Sequence, residues 1–345
     1  MGQAVKKERA GRRTEQAVEW YRKKGKDMGK QIHTVNGLLE VEQLGVTLMH
    51  EHVLQANWSM RQSFPDWFCY DEFIEYAVED VRRTKEIGVC TLVEQTPVCL
   101  GRDINAMKDV ADRTGMQIIA STGFFHTENQ WLYGRSAGSI LRYLMIDIEE
   151  GIQGTDIHPG LIKCATDTAG VTEINQRLLK AHADAARRSG LPIGTHSYYG
   201  NRSGIAQMEI FEKFGLNPRK ILIGHCGDTN DIGYLEELLR HGCCIGLDRF
   251  GDNAKNPLED RVNTLVELCD RGYMDQLMIS HDYVSFVDIG DFEWRNVRGT
   301  DPDDAQYNHR YIHRYVLPLL REKGFAQTEI DRLLVENPRR FFAEA

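Results

Sequence analysis

The chain has 345 residues, 41% hydrophobic and 27% charged, with a formal charge of −9, a balance ordinary for a soluble globular protein and a length that suits one barrel-sized domain. No apolar run approaches the roughly 20 residues of a membrane span, and an acidic body offers no basic groove for nucleic acid. The charge is uneven, because residues 1–30 carry ten Lys/Arg against four Asp/Glu, a net of +6 that leaves −15 for the remainder.

We read 1–30 as a basic N-terminal extension and 31–345 as a single domain. Met1–Lys30 has no apolar leader core, so a cytoplasmic protein is expected. The eight cysteines, Cys69, Cys90, Cys99, Cys164, Cys226, Cys243, Cys244 and Cys269, form no Cys-x-x-Cys pair. Several lie in apolar runs, as buried thiols of a reducing compartment do.

From residue 45 onward, short apolar runs rich in β-branched residues alternate with longer amphipathic stretches. The runs predict eight strands: Val46–Val53, Val89–Thr96, Gln117–Phe125, Leu161–Thr166, Leu191–Ser197, Ile221–Gly227, Cys243–Phe250 and Gln276–Tyr283. Helices are predicted between them, for example Asp71–Ile87, Thr172–Ser189, Ile232–Arg240 and Leu258–Arg271, with Asp71 and Thr172 as helix starts. Eight such alternations over about 300 residues predict a (β/α)8 TIM barrel. A doubly wound sheet would carry a Gly-rich phosphate turn after its first strand, and here that place holds His50-Glu51-His52.

Two connections are long: His126–Ser139 after the third strand, and Val284 to about Pro302 after the eighth, the latter with Asp288, Asp291, Glu293 and Asp301. Both emerge where such barrels place their active sites, so both are candidate lids. Asp303–Lys323 and Gln327–Phe342 read as two closing helices.

Side chains alternate along a strand, so His50 and His52 share one face and Glu51 the other. Lys163 lies in the fourth strand, and His196, His225 and Asp282 end the fifth, sixth and eighth. In a closed barrel these ends converge. Neutral imidazoles and carboxylates are the ordinary ligands of Zn, Mn, Co or Fe, and two such ions about 3.5–4 Å apart polarise an ester oxygen while acidifying a water. A lysine ammonium cannot ligate. Either Lys163 snorkels outward, or its amine is carboxylated by CO2 and bridges the ions. Singly, His196 or His225 could equally be a hydrogen-bonded core histidine. His281, beside Asp282, should face away, as should Cys164 and Cys226.

Together, His50-Glu51-His52, Lys163, His196, Gly224-His225 with Asp228, and Asp282 resemble the phosphotriesterase family of the amidohydrolase superfamily over nearly all of residues 33–342. The resemblance implies a binuclear centre of two divalent ions, with zinc first and Co, Mn or Fe as alternatives. His50, His52 and Asp282 would hold the buried ion, and His196 and His225 the exposed one. Lys163 as N6-carboxylysine and a hydroxide would bridge them. Asp282 would also accept the proton of the attacking hydroxide, a general-base role. A homodimer acting on a small-molecule substrate is implied as well.

Gly246-Leu247-Asp248-Arg249-Phe250-Gly251 and Ser280-His281-Asp282-Tyr283 look most like the phosphotriesterase-like lactonases. In those, an arginine at the Arg249 position lines the entrance and a tyrosine follows strand three. Here Phe125 stands in that tyrosine's place. Phe125, Arg249 and Tyr283 are the expected substrate-binding residues. The expected reaction is attack of the bridging hydroxide on the carbonyl of an acyl-homoserine, other γ/δ- or sugar lactone, with promiscuous phosphotriesterase activity. A dedicated phosphotriesterase, an N-acyl amidohydrolase and a catalytically silent ligand-binding barrel are the alternatives. The polar loops favour a sugar or phosphorylated lactone, whose anion Arg135, Arg249, Arg295 and Arg298 would bind.

Overall fold

The chain first doubles back on itself. β1 (Gln31–Thr34) and β2 (Gly37–Glu40) pair antiparallel across Val35-Asn36, with Gly37 at a φ of 106° directly after the turn, a hairpin that the reading from residue 45 passed over. The computed structural model describes residues 30–289 and 308–344. The extension 1–29 therefore lies outside the described residues, as do the expected lid residues Asp291, Glu293 and Asp301 and the arginines Arg295 and Arg298.

Nine parallel strands follow: β3 (Val46–Gln55), β4 (Val89–Glu94), β5 (Gln117–Gly123), β6 (Leu161–Ala165), β7 (Ile193–His196), β8 (Ile221–Ile223), β9 (Cys244–Leu247), β10 (Leu277–Ile279) and β11 (Val284–Val287). Each of β3 to β10 pairs with its sequence neighbour, while β11 returns to pair with β3, Val284 opposite His52. The expected eighth strand is thus split. β10 completes the run against β9, and residues 280–283 carry the chain across to β3 and close a (β/α)8 barrel. The crossing is made at Asp282, whose φ is 55° and whose N–H donates to His50 O at 2.9 Å. Val284–Val287, expected as the start of a loop, is the strand that performs the closure.

Helices separate the strands. Thr172 caps Glu173–Ser189 as expected, its hydroxyl accepting from Asn175 N–H. Asp71 does not cap its helix, which starts at Tyr70 after Cys69. Asp71 and Glu72 instead occupy the first turn, where the helix dipole favours carboxylates. The long connection after β5 is shorter than expected, because Ala137–Glu149 is already helix and Ser136 caps it. The closing segments are helical over Ile312–Glu322 and Gln327–Ala343. Among the described residues, no helix is long and apolar enough to cross a membrane.

Two apolar layers result. One lies between strands and helices and takes in Cys164 and Cys226. The other fills the barrel interior with Met49, Val93, Ile119, Leu161, Leu222 and Met278, closed from below by Phe341. The barrel is therefore plugged with hydrocarbon at one end, and its polar residues gather at the other, where the strands end. The β3–β4 ladder is irregular between Leu48 and Glu51. This break lets Met49 join the interior while His50 and His52 face the mouth, a common use of strand irregularity beside a site.

Candidate metal centre

The mouth opens into a cavity of about 580 Å3 that His50, His52, Lys163, His196, His225 and Asp282 all line. All six predicted ligands are thus brought together. Nζ of Lys163 lies 2.7 Å from Nε2 of His50, and Nε2 of His52 lies 2.9 Å from Oδ1 of Asp282. Nε2 of His225 lies 2.8 Å from Nδ1 of His196.

The outward nitrogen of each ring is held by a hydrogen-bond acceptor. Asp248 accepts from Nδ1 of His50 through Oδ2 (2.6 Å) and from Nδ1 of His225 through Oδ1 (3.0 Å). The Thr96 hydroxyl donates to Glu94 at 2.6 Å and accepts from Nδ1 of His52 at 2.7 Å. Oδ2 of Asp167 lies 3.1 Å from Nε2 of His196. Once the outward nitrogens carry the protons, the inward ones carry lone pairs, and this is the arrangement in which imidazoles ligate metals. His196 Nδ1 then faces His225 Nε2, and His52 Nε2 faces the Asp282 carboxylate, acceptor against acceptor. A cation between them relieves both contacts.

Charge states agree with this reading. Burial pushes His50 below its ordinary value, His196 down to about 4, and His225 well down, so these rings are neutral. Burial works against an ionised Asp282, yet its polar surroundings, the Arg249 guanidinium among them, hold its carboxyl well below the usual range. Burial lowers the Lys163 amine to about 8. The lysine is fixed as well, since Nζ donates to Oε1 of Gln95 at 2.9 Å. Two glycines make room here. A Cβ on Gly123 would sit 1.8 Å from Lys163 O, and one on Gly194 would meet the Gln95 amide at 2.6 Å.

Glu51 faces the other way, as its strand position predicts, and there it pins the turn that carries Asp282. Its carboxylate accepts from Ser280 Oγ (2.7 Å), His281 N–H (2.9 Å), His281 Nδ1 (2.7 Å) and Tyr283 N–H (3.2 Å). His281 lies behind the site, its Nε2 accepting from Ile312 N–H. Asp282 and His225 are both non-glycine residues at positive φ, 55° and 62°. Such strain persists only where the surroundings enforce it, and it concentrates at functional sites.

Of the expected substrate residues, Phe125, Arg249 and Tyr283 line the cavity. The Phe125 ring stands 5.1 Å from that of His196. The Tyr283 hydroxyl meets that of Tyr76 at 3.4 Å. Arg249 is already matched, donating from Nε to Asp282 Oδ2 at 2.8 Å and from Nη1 to Asp228 Oδ2 at 2.6 Å. Its Nε and Nη1 are thus engaged by carboxylates within the cavity wall. Arg135 lines a different cavity, of about 460 Å3, with Trp131 and Tyr143. Asp288 is not a loop charge: it is buried and bound by Asn57, Arg61 and Trp67. Sequence reading passed over Asp248, Gln95, Thr96 and Asp167. For Asp248 the signal was available, since Leu247-Asp248 ends the seventh strand as Ser280-His281-Asp282 follows the eighth.

The chain matches the model of the phosphotriesterase family over residues 30–342. It is 36% identical to an aryldialkylphosphatase of Saccharolobus solfataricus, covering 88% of this chain and 97% of that one. It is 26% identical to a phospho-furanose lactonase of Mycoplasmopsis agalactiae, covering 91% and 92%. Its fold superposes on the solved phosphotriesterase of Mycobacterium tuberculosis with a TM-score of 0.84 at 36% identity, covering 90% and 98%. An unbroken family match joined to this strand-end cluster of histidines and carboxylates means that the chain belongs to the phosphotriesterase family and is a metal-dependent hydrolase.

Proposed function

We propose that the chain is a lactonase that opens a γ- or δ-lactone bearing an apolar substituent, with slower phosphotriester cleavage at the same centre. The observation that carries the metal-dependent part is the convergence of potential ligand atoms on the cavity floor, His196 Nδ1 to His225 Nε2 at 2.8 Å and His52 Nε2 to Asp282 Oδ1 at 2.9 Å, while the rings' outer nitrogens face acceptors. In this reading His50, His52 and Asp282 hold one divalent ion and His196 and His225 the other, with zinc the first choice and Co, Mn or Fe also suited to the donors. When bound, such a pair acidifies a water and polarises the scissile carbonyl.

The chain's own residues do the rest. Lys163, once its buried ammonium has given up a proton, would add CO2: an N–C bond forms, a second proton leaves, and the resulting carboxylate would serve as a ligand for the metals. Asp282 takes the proton of the attacking water. Its neighbour Arg249 is protonated throughout and cannot receive that proton, so Asp282 returns it to the departing ring oxygen.

The substrate class rests on the walls. Leu100, Phe125, Val284, Val287 and Ile289 border the space above the centre and suit an alkyl or acyl arm. The cations there are engaged, Arg249 as described and Lys255 with Asp252 at 3.0 Å, which supports an uncharged substrate over a phosphorylated one. The aryldialkylphosphatase relative favours phosphotriester cleavage as the second reading.

A hydrolysis screen on metal-loaded protein tests the proposal, using alkyl and acyl γ/δ-lactones, sugar lactones with and without phosphate, N-acyl amino acids and paraoxon-like triesters. Alkyl and acyl lactones are expected to lead the others by at least about tenfold in kcat/KM. A preference for phosphorylated lactones, or N-acyl cleavage with lactones inert, would overturn it.

A further inference from the structure

Asp167 lies two residues beyond β6, outside the ligand set, and the proposed reaction makes no use of it. Its backbone is fixed in a turn bridged to Gly170, and its carbonyl accepts from Nδ2 of Asn201 at 2.9 Å. Its Oδ1 accepts from Thr168 N–H at 2.7 Å. That leaves Oδ2 set against two imidazoles, Nε2 of His196 at 3.1 Å and Nε2 of His126 at 3.3 Å.

We propose that Asp167 is a positioning residue for the more exposed ion: it keeps the proton of His196 on Nε2, so that Nδ1 is presented as a lone pair, and His126 braces it from the connection after β5. The inference rests on the proposed function in taking His196 as a ligand.

The reason lies in how the four rings differ. His50, His52 and His225 are 1–2% exposed, and their outward nitrogens meet acceptors in the interior. The His196 side chain is 12% exposed, so water competes for its outward nitrogen. Without a fixed acceptor the neutral ring would populate both tautomers, and only one of them ligates through Nδ1. A carboxylate selects that tautomer and makes the ring a stronger donor to metal.

His126, Asp167 and His196 also offer three ligand atoms within 4.8 Å of one another, which could suggest a separate metal site. An ion on Nε2 of His196, with another on Nδ1, would require the ring to give up its last proton. The hydrogen bond asks only for an ordinary neutral imidazole.

The test is metal binding, independent of turnover. Metal-free full-length protein is titrated with Zn2+ or Co2+ against a competing chelator, alongside thermal unfolding of the metal-free forms. The wild type is expected to take two equivalents in two resolvable classes. Asp167→Ala should weaken one class by about 10–100-fold and leave the other. Asp167→Asn, whose amide oxygen still accepts, should recover part of the loss, and His126→Ala should give a smaller one. Metal-free unfolding should coincide across the set, separating positioning from damage to the fold. Two unchanged classes in Asp167→Ala would overturn the proposal, as would a third equivalent that only this variant loses. A wild type that takes up no metal would instead sink the proposed function, and this inference with it.

Discussion

Strand β3 separates two buried polar clusters of similar size and opposite character. In front, His50 and His52 meet His196, His225 and Asp282 with acceptor facing acceptor. Behind, Glu51 is satisfied by Ser280, His281 and Tyr283, while Asp80 pairs with His309 at 2.8 Å and Arg310 at 2.6 Å. Burial opposes ionisation of Asp80, yet His309 and Arg310 bring it down to about 2. With the outer ring nitrogens protonated, the front cluster turns lone pairs toward one another, as the proposed pair of cations would require. The rear one pairs each carboxylate with a ring or guanidinium inside the protein, leaving Nε2 of His309 3.5 Å from Glu51 Oε2. The difference teaches that buried charge alone does not mark a site; what marks it is buried charge arranged so that its members cannot satisfy one another.

The sharpest way to break the comparison is to change one front residue and watch activity leave without stability. Lys163→Met should cut lactone or triester turnover by more than about 10³-fold, on the order of 4 kcal/mol in barrier. Metal analysis should show the second equivalent weakened, while the metal-free protein unfolds as the wild type does. Unchanged turnover would remove Lys163 from the centre.

Asp282→Asn should keep both ions and lose about 10²–10⁴-fold in kcat, the usual weight of a proton-transfer group. Full activity in that variant would end the general-base assignment.

The rear cluster should answer in the opposite sense. Asp80→Ala leaves Arg310 buried without its carboxylate and should cost about 3–5 kcal/mol of stability, read by urea unfolding. The folded fraction should keep its metal and its kcat. A selective loss of metal would merge the two clusters into one device.

The smallest effect is in pH. Because the folded Asp80 carboxyl is depressed to about 2, its contribution is fully present above its unfolded value near 4. It is lost as pH falls toward 2, on the order of 2 kcal/mol in all. Asp80→Asn should flatten that limb of the stability–pH curve, and an unaltered limb would show that other carboxylates set it.

The same contrast explains what could be read from the chain. His50 and His52 were legible because a two-residue period on a strand end fixes a shared face. His196, His225 and Asp282 were legible because eight repeats bring strand ends to one mouth. Asp167 carries no spacing signature: it is a single carboxylate whose meaning comes from a ring on a different strand, and Asp248, though its place at a strand end is legible, takes its role only from His50 and His225. The split of the last strand was hidden too, since Ser280–Tyr283 reads as a continuation of β10 until Glu51, more than two hundred residues away, is seen to hold it. Arg249 was placed correctly in the cavity, but its two carboxylate partners, Asp282 and Asp228, depend on a fold that local sequence does not reveal.

The left-handed backbone at Asp282 has a consequence for how this scaffold can diversify. The residue that would bind metal and move a proton is also the corner at which the barrel closes, and its φ of 55° is tolerated by few side chains besides Gly, Asn and Asp. Directed evolution therefore has almost no alphabet there. Leu100, Phe125 and Ile289 border the same cavity without positive φ, so a library aimed at new substrates should treat residues 280–287 as frame and vary these wall positions among side chains that keep the packing.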